Sequence, residues 1–234
     1  MNKKYFIVID TETANNIAQP LPYDISWAVT DKKGTIYETY SFLVYEIYCK
    51  EKSLMNSAYY ANKIPEYEEQ IKNGEKIVAS IYAIKERFET CCKKYNIDTV
   101  YAYNITFDKK ALNNDIRYIS KSFARWFFPF GINFYCIWNI ACNLLMSRKS
   151  FISFAEENNF ISPAGNILTN AEVCYRYITG DIDFQEEHKG LEDVLIEIKI
   201  LAYCFRQKKK MQSEPNTNCW RIVQKKRKEI RERV

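Results

Sequence analysis

Apolar residues fill the run from Tyr5 to Ile9 without a break, and a carboxylate, Asp10, follows at once. A short, continuously apolar run predicts a buried strand. Ile25 to Thr30 predicts a second strand, Asp31-Lys32-Lys33-Gly34 a turn, and the alternating, Tyr- and Thr-rich stretch from Thr35 to Tyr45 the return strand of a hairpin. Residues 46–75 are polar and Tyr-rich with weak periodicity, so they read as helical or irregular. Ile77, Ile81, Ile84 and Phe88 recur at helical spacing and predict a helix over 76–94. A fourth strand follows over Thr99 to Tyr103, then a helix over 107–120 with Phe107, Ala111 and Leu112 on one face, then a fifth strand over Asn133 to Ile137. Short helices are expected over 138–148, 150–158 and 169–179, with Pro163-Ala164-Gly165-Asn166 as a turn between them. The last long helix runs from Leu191 to Phe205, its apolar positions being Leu191, Val194, Leu195, Ile198 and Leu201. This order predicts an α/β fold with one antiparallel hairpin at an edge of the sheet.

Composition agrees with a folded body. Of 234 residues, 47% are hydrophobic and 27% charged, enough to bury a full core. Charge divides the chain more sharply. From Arg206 to Val234, 11 Lys and Arg face 3 Glu, so with a net charge of +5 the rest of the chain carries −3. Residues 1–206 therefore read as one domain and 207–234 as a basic tail, made of a linker over 207–218 and a short basic helix over 219–234. Such a tail attracts nucleic acid or another anionic surface, and its deletion is expected to flatten the salt dependence of binding. The eight cysteines form no C-x-x-C, and Cys91-Cys92 are adjacent, so reduced thiols acting as small hydrophobes are expected rather than disulfides or zinc. No apolar run approaches the roughly 18 residues of a membrane span, and the N-terminus lacks the apolar segment of a signal peptide; the expected location is cytoplasmic, in a bacterial or phage-infected cell.

Three places carry candidate chemistry. Asp10 and Glu12 stand two apart at the end of the first strand and so project from the same side of it. Like charges held that close favour a divalent cation with oxygen ligands, and the carboxyl ends of strands are where open α/β sheets bind ligands. Asp108 follows the fourth strand and the Tyr103-Asn104 turn, at the start of a helix; its ordinary role there would be to stabilise the helix dipole. His188, the only histidine in the chain, precedes Asp193 by five residues. Each part has an everyday explanation; the set of four carboxylates and one imidazole does not.

Taken together, Phe6-Ile7-Val8-Ile9-Asp10-Thr11-Glu12-Thr13, Tyr103-Asn104-Ile105-Thr106-Phe107-Asp108-Lys109-Lys110-Ala111-Leu112 and His188-Lys189-Gly190-Leu191-Glu192-Asp193 resemble the motifs of the DEDDh-type 3′→5′ exonucleases, the superfamily of polymerase proofreading subunits. The resemblance covers roughly residues 4–205. It implies a ribonuclease H-like three-layer fold: a mixed five-stranded sheet, one strand antiparallel, flanked by helices. It departs from the family at Gly190-Leu191, where members often have Ala-Leu, and at Ile137-Trp138, where many have an Asp.

The resemblance implies two divalent metal ions, Mg²⁺ or Mn²⁺, held by Asp10, Glu12, Asp108 and Asp193, with Asp10 bridging. His188 is then the general base, and nucleoside 5′-monophosphates leave the 3′ end. Thr11, Thr13, Asn104 and Phe107 are candidate substrate contacts, and Phe127-Phe128 a candidate stacking pair whose plainer reading is core. Single-stranded 3′ ends are the expected partner, DNA favoured, with a polymerase or another replication or repair protein supplied in trans. The alternatives are an exoribonuclease of the same fold, similar to ribonuclease T, and an inactive nucleic-acid-binding module; a purely structural role leaves the carboxylates unexplained.

Overall fold

A computed structural model describes residues 4–16, 18–58 and 61–232. Its centre is a six-stranded sheet of β1 (Phe6–Ala14), β2 (Leu21–Thr30), β3 (Ile36–Val44), β4 (Ile77–Ala79), β5 (Thr99–Ala102) and β6 (Asn133–Cys136), in the order β4-β3-β2-β1-β5-β6. Only β2 runs against its neighbours; β1 pairs with β5, β5 with β6 and β3 with β4 in parallel. The helices are α1 (Tyr45–Tyr48), α2 (Lys52–Ser57), α3 (Ile64–Lys72), α4 (Ile81–Tyr95), α5 (Ile105–Ser120), α6 (Ile137–Ala141), α7 (Lys149–Glu157), α8 (Ala171–Thr179), α9 (Gly190–Arg206) and α10 (Trp220–Arg231). A π-helical turn, Cys142–Met146, continues α6.

The sheet separates two cores, and β1 shows why. Its side chains alternate between faces. Ile7 and Ile9 join Trp27, Val29, Ile84 and Phe88 on one side, while Phe6 and Val8 join Ala28, Ile137, Val194 and Leu201 on the other. Asp10 and Glu12 continue the row of Phe6 and Val8, so the alternation that buries β1 also aims both carboxylates at the α9 layer.

Several elements differ from the sequence reading. The sheet has a sixth strand, β4, inside the stretch read as the start of a helix. Ile77 keeps helical spacing with Ile81, but Ser80 caps α4 by accepting from the Ala83 N–H at 3.2 Å, so the helix starts after it. β4 lies outside β3, and the β2–β3 hairpin is therefore interior rather than at the edge. β1 runs on to Ala14 and so carries the two carboxylates within the strand. Among the described residues, 46–75 hold most of α1, then α2, a 3-10 turn (Ala61–Lys63) and α3, and bury Ile47, Met55 and Tyr67.

The segment read as linker and tail is fastened to the body. The Cys136 N–H donates to Ser213 O at 2.7 Å, and Asn139 Nδ2 donates to Glu214 O at 2.9 Å. α10 buries Cys219 and Val223, exchanges two hydrogen bonds between Gln224 and Ile167, and pairs Arg227 with Glu156 at 2.7 Å. Removing residues 207–234 would therefore uncover core as well as remove charge. All eight cysteines are free, and seven are buried. No helix among the described residues is long and apolar enough to cross a membrane.

One buried polar cluster sets where α9 begins. Lys76 Nζ lies 2.6 Å from Asp24 Oδ2 and 2.8 Å from Ser41 Oγ, and all three side chains are buried. Asp24 also accepts from Ser26 Oγ at 3.1 Å and from the Gly190 N–H at 3.3 Å. A Cβ on Gly190 would stand 2.9 Å from Ser26 Oγ and 3.1 Å from Asp24 Oδ1. Glycine is thus what lets α9 start against β2, and this explains the departure at Gly190-Leu191.

Lys76→Met, which strands the Asp24 carboxylate, is expected to cost about 3–5 kcal/mol in urea denaturation. Gly190→Ala is expected to cost about 1–3 kcal/mol through overpacking. Losses below measurement error in both variants would show that the cluster does not anchor α9.

Candidate active site

β1, α5 and α9 converge on one cleft lined by Asp10, Glu12, Asp108, His188, Asp193 and Glu197, among others. All five positions expected to carry the chemistry are there. Asn104, Phe107 and Thr11 also line it, whereas Thr13 lies outside it. Phe127 and Phe128 are buried in the core against Phe88 and are not available to a ligand.

Each group is held by its local structure. The Thr11 hydroxyl donates to Asp108 Oδ1 at 2.9 Å, joining β1 to the first turn of α5. Thr11 is buried in the wall of the cleft, where its hydroxyl orients Asp108. Asp193 stands in the first turn of α9, three residues beyond the Gly190 anchor. His188 adopts a left-handed backbone conformation, φ 50°, just before α9, and its Nδ1 lies 4.0 Å from Glu186 Oε2. Glu12, His188 and Asp193 each offer one ligand atom within 4.8 Å of the others, the geometry of a small cation site.

Two acids were not anticipated. Glu197 is fully inside, one turn after Asp193, and accepts from the Tyr103 N–H at 3.1 Å. Its signal was present: a Glu between the apolar positions Val194 and Ile198 falls on the inward face of α9. Glu186 borders the cleft two residues before His188, in a loop without periodicity that could have flagged it.

Burial and like charge dominate the cleft, with the charge of Lys63 opposing them at Glu12 and Asp193. Burial, and then the charges of Asp108, Glu197, Glu12 and Asp193, hold the Asp10 carboxyl well above the usual range. Burial pushes Asp108 up to about 7, against the Thr11 hydrogen bond. Burial and the charges of Glu186 and Glu192 push Asp193 up to about 8, and burial with Asp193 and Asp24 pushes Glu12 up to about 9. Glu197 is raised by burial and by Asp108 and Asp193. His188 moves the other way, lowered by burial and by the charge of Lys63, so the neutral imidazole is favoured. Asp10 Oδ2 and Asp193 Oδ1 are buried with no hydrogen-bond partner. Orphaned carboxylate oxygens in an acid-rich cleft fit hard divalent cations, which take oxygen ligands.

No family model and no curated protein matches the sequence. Solved structures do. The chain is similar in fold to E. coli exonuclease I in complex with a 5cy-dT13 oligonucleotide (13% identity, TM-score 0.52, over 88% of this chain and 41% of that one). It is likewise similar to the zinc-bound complex of that enzyme with single-stranded DNA (13% identity, TM-score 0.50, over 85% and 40%). It also matches cell-death related nuclease 4 (10% identity, TM-score 0.51, over 99% and 78%). The chain thus spans about two fifths of exonuclease I and most of the second nuclease, and it shares their mixed α/β fold.

Raised carboxyl groups bind protons more tightly in the folded than in the unfolded chain. Their contribution is therefore favourable at low pH and is lost as pH rises from the ordinary range near 4 through about 7–9. Without cations, the gap in thermal midpoint between Asp193→Asn and the parent chain is expected to widen in favour of the variant from pH 5.5 to pH 8.5. Mn²⁺ or Mg²⁺ is expected to raise the parent midpoint more at pH 8.5 than at pH 5.5, because protons and cations compete for the same oxygens. A cation effect independent of pH would contradict this.

Proposed function

We propose that this protein is a divalent-cation-dependent 3′→5′ exonuclease of the DEDDh type. The reading is carried by one observation: Asp10, Glu12, Asp108 and Asp193 arrive from three separate elements in one cleft with His188. The similarity in fold to exonuclease I, which has been captured with single-stranded DNA, supports a nucleic acid substrate, DNA favoured, while the 3′ polarity rests on the resemblance of the motifs.

Asp10, Glu12, Asp108 and Asp193 would hold two cations, Mg²⁺ or Mn²⁺, which supply charge neutralisation and a lowered water pKa when bound. The protein's own groups do the rest. His188, kept neutral by its surroundings, takes the proton of the attacking water at Nε2 while Nδ1 stays on the Glu186 side. Asn104 and Phe107 flank the cleft and hold the terminal nucleotide, while Thr11 fixes the Asp108 carboxylate. Glu197, braced by the Tyr103 backbone, adds negative charge behind Asp10 and so strengthens the demand for cations.

The test is digestion of 3′-labelled and 5′-labelled oligonucleotides, DNA and RNA, with Mg²⁺, Mn²⁺ or chelator. Mononucleotides released first from the 3′ label, only with a cation present, are expected. Asp10→Ala and Asp193→Ala should abolish cleavage. His188→Ala should lower turnover about 10²–10⁴-fold, the usual contribution of a general base, with cation affinity retained. A loss of cation affinity in His188→Ala equal to that in Asp10→Ala would make His188 a ligand instead, a role its place beside Glu12 and Asp193 also allows. Release from the 5′ label first would overturn the assignment.

A further inference from the structure

The outward face of α5 leads away from the cleft and is chemically unlike the rest of the body. Residues 105–131 contain Lys109, Lys110, Arg117, Lys121 and Arg125, and their two acids, Asp108 and Asp115, are both buried. Five cations therefore face outward from a body that is otherwise net acidic. Aromatic rings are interleaved with them. Arg117 lies over the Trp126 ring at 4.1 Å and Lys109 over Phe134 at 4.2 Å. Trp126 is 56% exposed, Phe123 90%, and Phe130 fully exposed. Apolar rings left in water are costly unless something covers them.

The shape agrees. One groove runs from Ile105 and Thr106 past Lys109, Asn113 and Arg117 to Trp126, and a second, sharing Asn114 and Arg117, continues to Lys121 and Phe123. The first begins beside Asn104 and Phe107, which line the candidate active site, so the groove and the cleft adjoin along α5. From Thr106 to Arg117 the helix rises roughly 16 Å at about 1.5 Å per residue. At one phosphate per ~3.4 Å of stacked strand, that is room for about three to five nucleotides.

Resting on the nuclease reading above, we propose that this basic and aromatic groove along α5 is the track for the single-stranded stretch upstream of the scissile 3′ terminus, with Lys109, Lys110 and Arg117 on phosphates and Trp126 and Phe123 stacking on bases. Rings and cations alternating along a groove are what a flexible strand requires: every base has a face to stack, and every phosphate a charge to neutralise. A folded protein partner would call for a patch depleted of lysine at its core. The α5 track, not the α10 end of the chain, then sets affinity for long substrates, because α10 commits Arg227 to Glu156 and buries its apolar side in the body.

The test compares the full chain with Lys109→Glu/Arg117→Glu, Trp126→Ala, and the charge-matched control Arg221→Glu/Lys225→Glu on α10. The first readout is anisotropy of 5′-fluorescein dT15 and dT3 in chelator, where nothing is cut. The parent should bind dT15 about tenfold or more tightly than dT3, and both α5 variants should lose most of that difference. The salt slope of dT15 binding should fall by roughly 1.4 for two lost phosphate contacts, at about 0.7 per contact for a single strand, while the α10 control keeps the parent values. The second readout is cleavage with Mn²⁺: in the α5 variants KM for dT15 should rise by a larger factor than KM for dT3. Unchanged dT15 affinity in the α5 variants, or an equal loss in the α10 control, would overturn the track. Absence of cleavage in the parent alongside intact length-dependent binding would instead overturn the nuclease reading and leave the groove standing.

Discussion

Everything around the cleft answers to the repulsion among carboxylates gathered at one end of β1. Asp10 and Glu12 from the strand, Asp108 from α5, and Asp193 and Glu197 from α9 share one low-dielectric cavity, and each raises the cost of ionising another. The charge of Lys63 lowers Glu12 and Asp193, but burial and the neighbouring acids outweigh it. Lys76, the buried lysine nearest this chemistry, is consumed by Asp24. The groups that do touch the carboxylates, the Thr11 hydroxyl and the Tyr103 N–H, orient them without adding a full charge. An acid-rich cavity therefore persists only because a well-packed scaffold holds it, and that strain is what a bound cation would relieve.

The scaffold does this with one anchor of opposite character. The Lys76–Asp24 pair is buried and its geometry is close, so removing either partner strands a charge. Through Gly190 it fixes the start of α9, hence the height of Asp193 and the approach of the His188 loop. The element that looks structural, a three-residue edge strand led in by a lysine, is thus coupled to the element that carries Asp193 and Glu197. The missing side chain at residue 190 is the counterpart of the same contact.

The parts of this arrangement that are legible in the sequence are those where local geometry and chemistry coincide. Asp10 and Glu12 could be paired because a strand repeats every two residues, and Asp108 and Asp193 because both open helices with clear apolar faces. Glu197 escaped notice although it interrupts an apolar stripe, since a single acid there is ordinarily read as a boundary of the face. β4 escaped because three residues are too few for a period to register, and Ile77 happened to keep step with the helix behind it. The packing of α10 escaped for a different reason: composition made residues 207–234 look solvated, but burial there rests on few residues, Cys219 and Val223 foremost, with arginines spanning the edge. The basic and aromatic face of α5 was hidden in the same way, because the charges of a whole body average out when they are summed along the chain.

The spacing of the cleft's contacts along the chain has a consequence for biosynthesis. Thr11 and Asp108 are 97 residues apart, and Asp24 and the Gly190 N–H are 166 apart. Such pairings close large loops and form late relative to local structure. A nascent chain emerges N-terminus first, so all six strands can be outside the ribosome while α9 is still inside it. At that stage Asp10, Glu12 and Asp108 lack Asp193, Glu197 and His188, and the cavity that would recruit cations does not yet exist. Whatever chemistry the cleft performs can therefore begin only once α9 has emerged and packed against β1 and β2.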